Sequence, residues 1–272
     1  MEPLTYTPDI SHSHRRSPAT RRFDIVVVVP ARNEEQLIGA SLTSVVDASR
    51  RAVQHVDRVA ISVVADSCTD RTVEIARSVL AAQPLWSVTE CDLGNVALVR
   101  SLGVEVGRRL LGSVRSDRIW MASTDADTMV PGDWLIDHVE AATRGTRALA
   151  GAVDIECFDG LPASARTFFT ETYTDLLPSH GHHSHVHAAN LGVRLDAYDD
   201  AGGWGSLPRS EDRDLWTRLE RTGALVESPS SLRVVTSGRS IGRVPGGFAD
   251  CLRRQVRSWE NRELKNDDRR TA

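Results

Sequence analysis

Two aspartates separated by a single residue, Asp125 and Asp127, follow the apolar stretch Ile119–Ala122. A pair of carboxylates just past a buried strand can reach a divalent cation. Magnesium and manganese suit such a site, because they are commonly held by one or two carboxylates while substrate phosphates and water complete the octahedron. A solvated acidic turn is the alternative reading of the same triplet. A second acidic pair, Glu211-Asp212, begins a helical pattern, where it either complements the helix dipole or presents a carboxylate as a base. Asp66, Asn33 and Glu34 lie at other strand-to-helix turns and can accept from the N–H and O–H groups of a base or ribose. Asn33 and Asp70 serve equally well as helix N-caps. Arg32, Arg71 and Arg100 can pair with phosphate or with these acids, although spacing alone reads them as surface charges. Five histidines crowd His180-Gly181-His182-His183-Ser184-His185-Val186-His187. This loop fits either metal binding or the acceptor side of a site, with one imidazole completing a cation site as a third possibility.

These groups need a frame. Ile25–Pro30 is a run of β-branched residues without polar alternation, as in a parallel strand covered on both faces. After it, Leu37, Ile38, Leu42, Val45 and Val46 recur at helical spacing, with Asn33 as cap and Glu34 and Glu35 in the first turn. Val59–Asp66 reads as the next strand and Val73, Ala76, Val79 and Leu80 as the next helix. Trp86–Thr89 is a short strand, followed by a helix with the stripe Leu98, Val99, Leu102, Val106 and Leu110. Arg118–Ala122 is the strand before the Asp125 turn. Strands feeding helices in this order imply crossover connections and a mostly parallel central sheet with helices on both faces. Ligands of such sheets bind beyond the carboxyl ends of the strands, which selects the turns at 31–34, 66–70 and 125–127. Further on, the pattern predicts a strand over 149–153, a helix over 163–177, and a helix over 211–222 ended by Gly223.

The 272 residues carry 33 basic and 37 acidic side chains, a formal charge of −4. That balance gives no field for nucleic acid. The longest strongly apolar run is far shorter than the roughly 20 residues of a membrane span. Cys68, Cys91, Cys157 and Cys251 are scattered without a CxxC pair, in keeping with a reduced, cytoplasmic setting. Residues 1–22 read as a disordered tail, 23–245 as one α/β domain, and 246–272 as an amphipathic, charged extension. Nothing in the sequence reports an oligomeric state.

Six segments, VVVPARNEE (27–35), VVADSCTDRT (63–72), GNVALVRSLGVE (94–105), DAD (125–127), ANLGVRLDAYDDAGGW (189–204) and SEDRDLWTRL (210–219), resemble the family 2 glycosyltransferases of the GT-A fold in order and spacing. The resemblance covers roughly residues 23–245. It implies a single-sugar transferase using a nucleoside diphosphate sugar, UDP-linked by preference, and a divalent cation, Mn²⁺ or Mg²⁺, with inversion at the anomeric carbon and an acceptor hydroxyl that it does not identify. Carried over residue by residue, Pro30, Asn33 and Glu34 line the nucleotide pocket, Asp66 contacts the base, and Arg100 sits near the diphosphate. Asp127 is the main metal-contacting acid, Asp125 lies nearer ribose and metal, and Asp212 of the Glu211-Asp212 pair is the base. Ala65 and Cys68 depart from the family's usual second turn, which bears on base selection. Gln255-Val256-Arg257-Ser258-Trp259 departs from QxxRW, against processive synthesis. The competing readings are a sugar nucleotidyltransferase, disfavoured because Pro30-Ala31-Arg32-Asn33 replaces a glycine-rich loop, a glycosidase, and a non-catalytic metal- or carbohydrate-binding protein working through His180–His187.

Overall fold

The computed structural model describes residues 22–155, Thr167, 183–207 and 210–238. The expectations for the tail before Arg22, the helix over 163–177, the extension 246–272 and the Gln255–Trp259 motif lie outside those residues, as do His180 and His182. Arg22, assigned to the tail, is fastened to the fold instead: its guanidinium donates to the Val56 carbonyl at 2.8 Å.

The elements run β1 (Asp24–Ala31), α1 (Ile38–Ala52), β2 (Val59–Asp66), α2 (Thr72–Leu80), β3 (Trp86–Cys91), α3 (Val96–Leu111), β4 (Ile119–Ser123), β5 (Thr128–Met129), α4 (Trp134–Arg144), β6 (Ala148–Ala150), β7 (Ala152–Ile155), β8 (Leu191–Arg194), α5 (Leu195–Asp200), α6 (Glu211–Arg221), β9 (Val226–Glu227) and β10 (Arg233–Thr236). Among the described residues, seven strands form one sheet in the order β3-β2-β1-β4-β8-β6-β9. β3, β2, β1 and β4 are parallel; β8 is antiparallel to both β4 and β6. The chain winds outward from β1 through β2 to β3, then α3 carries it back to β4 on the other side of β1. This reversal opens a crevice at the carboxyl ends of β1 and β4.

The unbroken apolar run of β1 is explained by its two covered faces. Ile25, Val27 and Val29 join the core under α1 and α4, while Val26 and Val28 join the opposite core with α3, α5 and α6. The α3 stripe differs from expectation. Its buried face is Ala97, Val99, Arg100, Gly103, Val104, Gly107 and Leu111, whereas Leu98 is exposed. The helix lies so close to β1 that a Cβ on Gly107 would stand 2.1 Å from Val26 Cγ1, and one on Gly103 2.6 Å from Val28 Cγ1. Small residues, not leucines, therefore face the sheet.

Pro30 sits in a central strand without cost to the ladder. Register with β2 continues to Ala31↔Ala65, but register with β4 ends at Val28↔Ser123. The Ile25 N–H points to β2 and the Val28 carbonyl to the β4 side. Pro30 shares the parity of Val28, so its missing N–H faces the side where β4 has already ended.

The strand expected over 149–153 is two strands in two sheets. β6 stays in the main sheet, and after Gly151 the chain passes into a three-stranded sheet, β5-β10-β7. Gly151 is required because a Cβ there would meet Asn190 Nδ2 at 2.1 Å. The Asn190 amide donates to the carbonyls of Ala152 and Leu232 and pins the crossing. The small sheet is anchored to β4 through β5, so it stands directly after the Asp125–Asp127 turn.

Candidate active site

The β1–α1 and β2–α2 turns are sewn together. Asn33 does not cap α1, which begins at Ile38 with Leu37 in the cap position and no acid in its first turn. Asn33 instead adopts a left-handed φ of 53° and accepts from the Thr69 N–H at 2.8 Å. Its own N–H points at Cys68 Sγ, 3.4 Å away, and the Cys68 thiol faces the Ala31 carbonyl. The Glu34 N–H donates to Thr72 Oγ1 at 2.7 Å, and the Glu35 N–H to Asp70 Oδ2 at 3.1 Å. Asp70 also accepts from the Thr72 N–H at 3.0 Å, but Arg71 holds the cap position of α2, so Asp70 stands one residue before the cap rather than at it. Glu34 is buried. Non-local bonds thus override the cap signal at Asn33 and delay the helix.

Asp66, at the carboxyl end of β2, is buried, and its carboxylate accepts from the N–H groups of Leu93 at 2.7 Å and Gly94 at 3.2 Å. It fastens the β3–α3 loop to the sheet edge. Arg32 reaches the same carboxylate at 3.6 Å. Arg71 pairs with Glu74 on the surface.

Arg100 is the centre of the arrangement and is no surface charge: its side chain is 4% exposed. One guanidinium nitrogen donates to Asp125 Oδ1 at 2.7 Å and another to Glu211 Oε1 at 2.7 Å. The guanidinium also lies 5.5 Å from the centre of the Trp204 ring. Burial opposes its charge, but Asp125 and Glu211 outweigh burial and hold it firmly protonated. Burial lifts the Glu211 carboxyl above the usual carboxylate range, Arg100 opposes this, and Asp212 adds to it.

This ion triad draws the second half of the chain to the first. Asp125 lies in the turn after β4, Glu211 begins α6, and 111 residues separate Arg100 from Glu211. Asp212 is carried along: its Oδ2 accepts from the Ala188 N–H at 3.2 Å and its Oδ1 from the Arg213 N–H at 2.7 Å. Asp127 is half-buried beside Thr128 and Thr236, at 3.4 Å from each hydroxyl, and its carbonyl accepts from the Ser237 N–H. The Asp125 carbonyl accepts from Ser41 Oγ and the Thr128 N–H, so the turn itself is rigid. Of the histidine loop, His183, His185 and His187 are described. The rings of His185 and His187 stack with centroids 6.2 Å apart. Burial, then the neighbouring His185, lowers His187 to about 4, and Asp125 pulls weakly the other way.

One residue with a place in this site had no role assigned from sequence. Trp204 follows Gly202 and Gly203, both in the left-handed region, and its backbone N–H donates to Tyr198 Oη at 3.0 Å. The paired glycines were the available signal. Among the described residues, no group of three or more His, Cys, Asp or Glu side chains is gathered as in a closed metal site. Hard carboxylate oxygens at a strand end, few in number, fit instead a cation that shares its ligands with phosphate and water.

The sequence profile of the family described as Glycosyl transferase family 2 matches residues 26–200. Among solved structures, the mannosyltransferase PcManGT from Pyrobaculum calidifontis, in complex with GDP-Man and Mn²⁺, superposes with a TM-score of 0.60 at 17% identity, over 82% of this chain and 59% of that one. S. aureus TarS 1-349 gives 0.57 at 16% identity, over 79% and 60%. Its complex with UDP gives 0.57 at 14% identity, over 80% and 61%. The chain spans about three fifths of the length of these structures, and at such identity the likeness is one of fold. A search of curated proteins found no match. Profile, strand order and the acidic turn at the end of β4 agree: the chain belongs to glycosyl transferase family 2 and has the GT-A fold.

Proposed function

We propose that this protein transfers a single sugar from a nucleoside diphosphate sugar, UDP-linked by preference, to an acceptor hydroxyl with inversion at the anomeric carbon. The observation that carries the reading is the triad of Asp125, Arg100 and Glu211, which sets Asp212 at the end of the sheet where the Asp125–Asp127 turn stands. Pro30, Asn33 and Glu34 line the nucleotide side of the crevice. Asp66 accepts from two loop amides and, as a carboxylate with about four acceptor positions, keeps capacity for a base N–H. Asp127 and Asp125 would hold Mn²⁺ or Mg²⁺. When bound, such an ion neutralises charge on the departing diphosphate.

Asp212 takes the proton of the acceptor hydroxyl while that oxygen bonds to the anomeric carbon and the bond from that carbon to the diphosphate oxygen breaks. Glu211 is committed to Arg100, which leaves Asp212 as the member of the pair turned to this task. Arg100 serves as a positioning residue that fixes Asp125 against α6.

The test is calorimetry of UDP and GDP with Mn²⁺ or with EDTA, on the natural chain and on Asp127→Asn. Affinity is expected to fall at least tenfold on chelation and on substitution. Equal affinity in all arms would remove the metal assignment, and no binding of any nucleotide would remove the donor assignment.

A further inference from the structure

Asp66 is buried, with 7% of its side chain exposed, yet its two oxygens are used unequally. Oδ1 accepts from the Leu93 N–H at 2.7 Å and from the Gly94 N–H at 3.2 Å, with the Cys91 thiol 3.7 Å away. Burial, then the Asp66 charge, push that thiol up to about 11, so it remains an S–H donor to Oδ1. Oδ2 has only a share of the Gly94 N–H, at 3.2 Å, and the Arg32 guanidinium beside it at 3.6 Å. That separation is longer than a hydrogen bond. Oδ2 therefore keeps acceptor capacity next to a guanidinium whose pair with Asp66 is its sole polar contact among the described residues.

The backbone that carries these two side chains is fixed on both sides. The Ala31 carbonyl, before Arg32, faces the Cys68 thiol, while Asn33, after it, accepts from the Thr69 N–H and points its own N–H at Cys68 Sγ. Asn33 and Ser67, the residues that follow Arg32 and Asp66, both adopt a left-handed φ of 53°. The Ser67 N–H donates to the Cys91 carbonyl at 2.8 Å and its hydroxyl to Asp92. Strained turns persist where their surroundings over-determine them. Arg32 and Asp66 are thus held as a preorganised donor and acceptor at the carboxyl ends of β1 and β2.

A donor next to an acceptor matches a carbonyl oxygen next to a ring N–H. Guanine offers N1–H and its N2 amine together, which call for both oxygens of a carboxylate, and Oδ1 is already committed to two amides. Cytosine sets the N3 lone pair where the carboxylate needs a proton. We propose that Arg32 and Asp66 read the nucleobase as a pair, Asp66 Oδ2 accepting from N3–H of uracil while the Arg32 guanidinium donates to the carbonyl oxygen beside it. The inference rests on the donor-site reading above and adds to it the residue that selects the base.

The test is calorimetry of the full chain in Mn²⁺ with UDP, UMP, CDP and GDP, repeated on R32M and R32K. UDP is expected to bind about tenfold or more tighter than CDP and GDP. R32M should weaken UDP and UMP by the same factor, about tenfold, because the two share a base. R32K keeps a charge beside Asp66 without the flat fork and should recover only part of that loss. Equal binding of the three diphosphates, or unchanged UDP affinity in R32M, overturns the inference. A loss seen with UDP but not with UMP overturns it by giving Arg32 to the diphosphate, and full recovery in R32K overturns it by reducing Arg32 to a counter-charge. Sugar transfer stands in each of these cases, whereas failure of the natural chain to bind any of the four nucleotides overturns both.

Discussion

Arg100 illustrates what a buried charge contributes at the scale of one residue. Its desolvation is offset chiefly by the paired carboxylates of Asp125 and Glu211. Removing one partner leaves uncompensated charge inside the protein, which typically costs about 3–5 kcal/mol. Arg100→Met is expected to lose stability on that scale in urea unfolding, and donor affinity with it, because Asp125 is no longer held. Among the described residues Asp212 makes no such ion pair. Its carboxylate accepts from the backbone amides of Ala188 and Arg213, so Asp212→Asn should cost less than about 1 kcal/mol of stability and lower the transfer rate by about 10²–10⁴. Steady-state turnover beside unfolding curves separates the roles, with Glu211→Gln as the neighbouring control. Normal turnover in Asp212→Asn with loss in Glu211→Gln would move the base to Glu211.

At the scale of elements, α3 does the positioning. Its register against β1 depends on Gly103 and Gly107, and Arg100 lies one and two turns before them on the same face. Gly107→Ala introduces a methyl 2.1 Å from Val26 Cγ1, a β-branched side chain in a central strand that has little room to give. The expected cost is about 1–3 kcal/mol, the usual scale of core overpacking. It is measured as a lower urea midpoint with an unchanged m-value. Helix propensity alone predicts a gain for the same substitution, so the sign decides whether α3 is held by close contact with β1.

Over the whole molecule, stability should depend on pH through His138. It is fully buried, accepts from Trp120 Nε1 at 3.0 Å and meets the Trp134 ring edge-on. Burial lowers it to about 3. The unfolded chain binds a proton near 6.5, so as pH falls below that value the unfolded state gains protons that the folded state refuses, and stability drops until about pH 3. Between pH 7 and pH 5 this amounts to about 2 kcal/mol. His187 adds a loss of the same sign, whereas Glu211, raised in the fold, works in the opposite direction. Unfolding of the natural chain and of His138→Gln at both pH values isolates the term. The variant should be less stable at pH 7 and lose less between the two.

Local sequence was sufficient for the elements whose signals are short-range. β2 spans Val59–Asp66 and α6 ends before the left-handed Gly223, both as the residue pattern reads, and the order of strands and helices implied the parallel half of the sheet. The turns at the carboxyl ends of β1, β2 and β4 were legible for the same reason: buried strands must stop at polar residues. Decisions that depend on distant partners were not legible. Asn33 has the chemistry of a cap, but Thr69 and Cys68, brought in by β2–α2, take its side chain and N–H. Arg100 looks like any helical arginine until Asp125 and Glu211 close on it from two other elements. Gly151 shows no mark of a change of sheet, which depends on Asn190. Propensity and periodicity act over a few residues, whereas desolvated ion pairs and close backbone approach exist only after the sheet has assembled, and it is these that place the acids of the site beside one another.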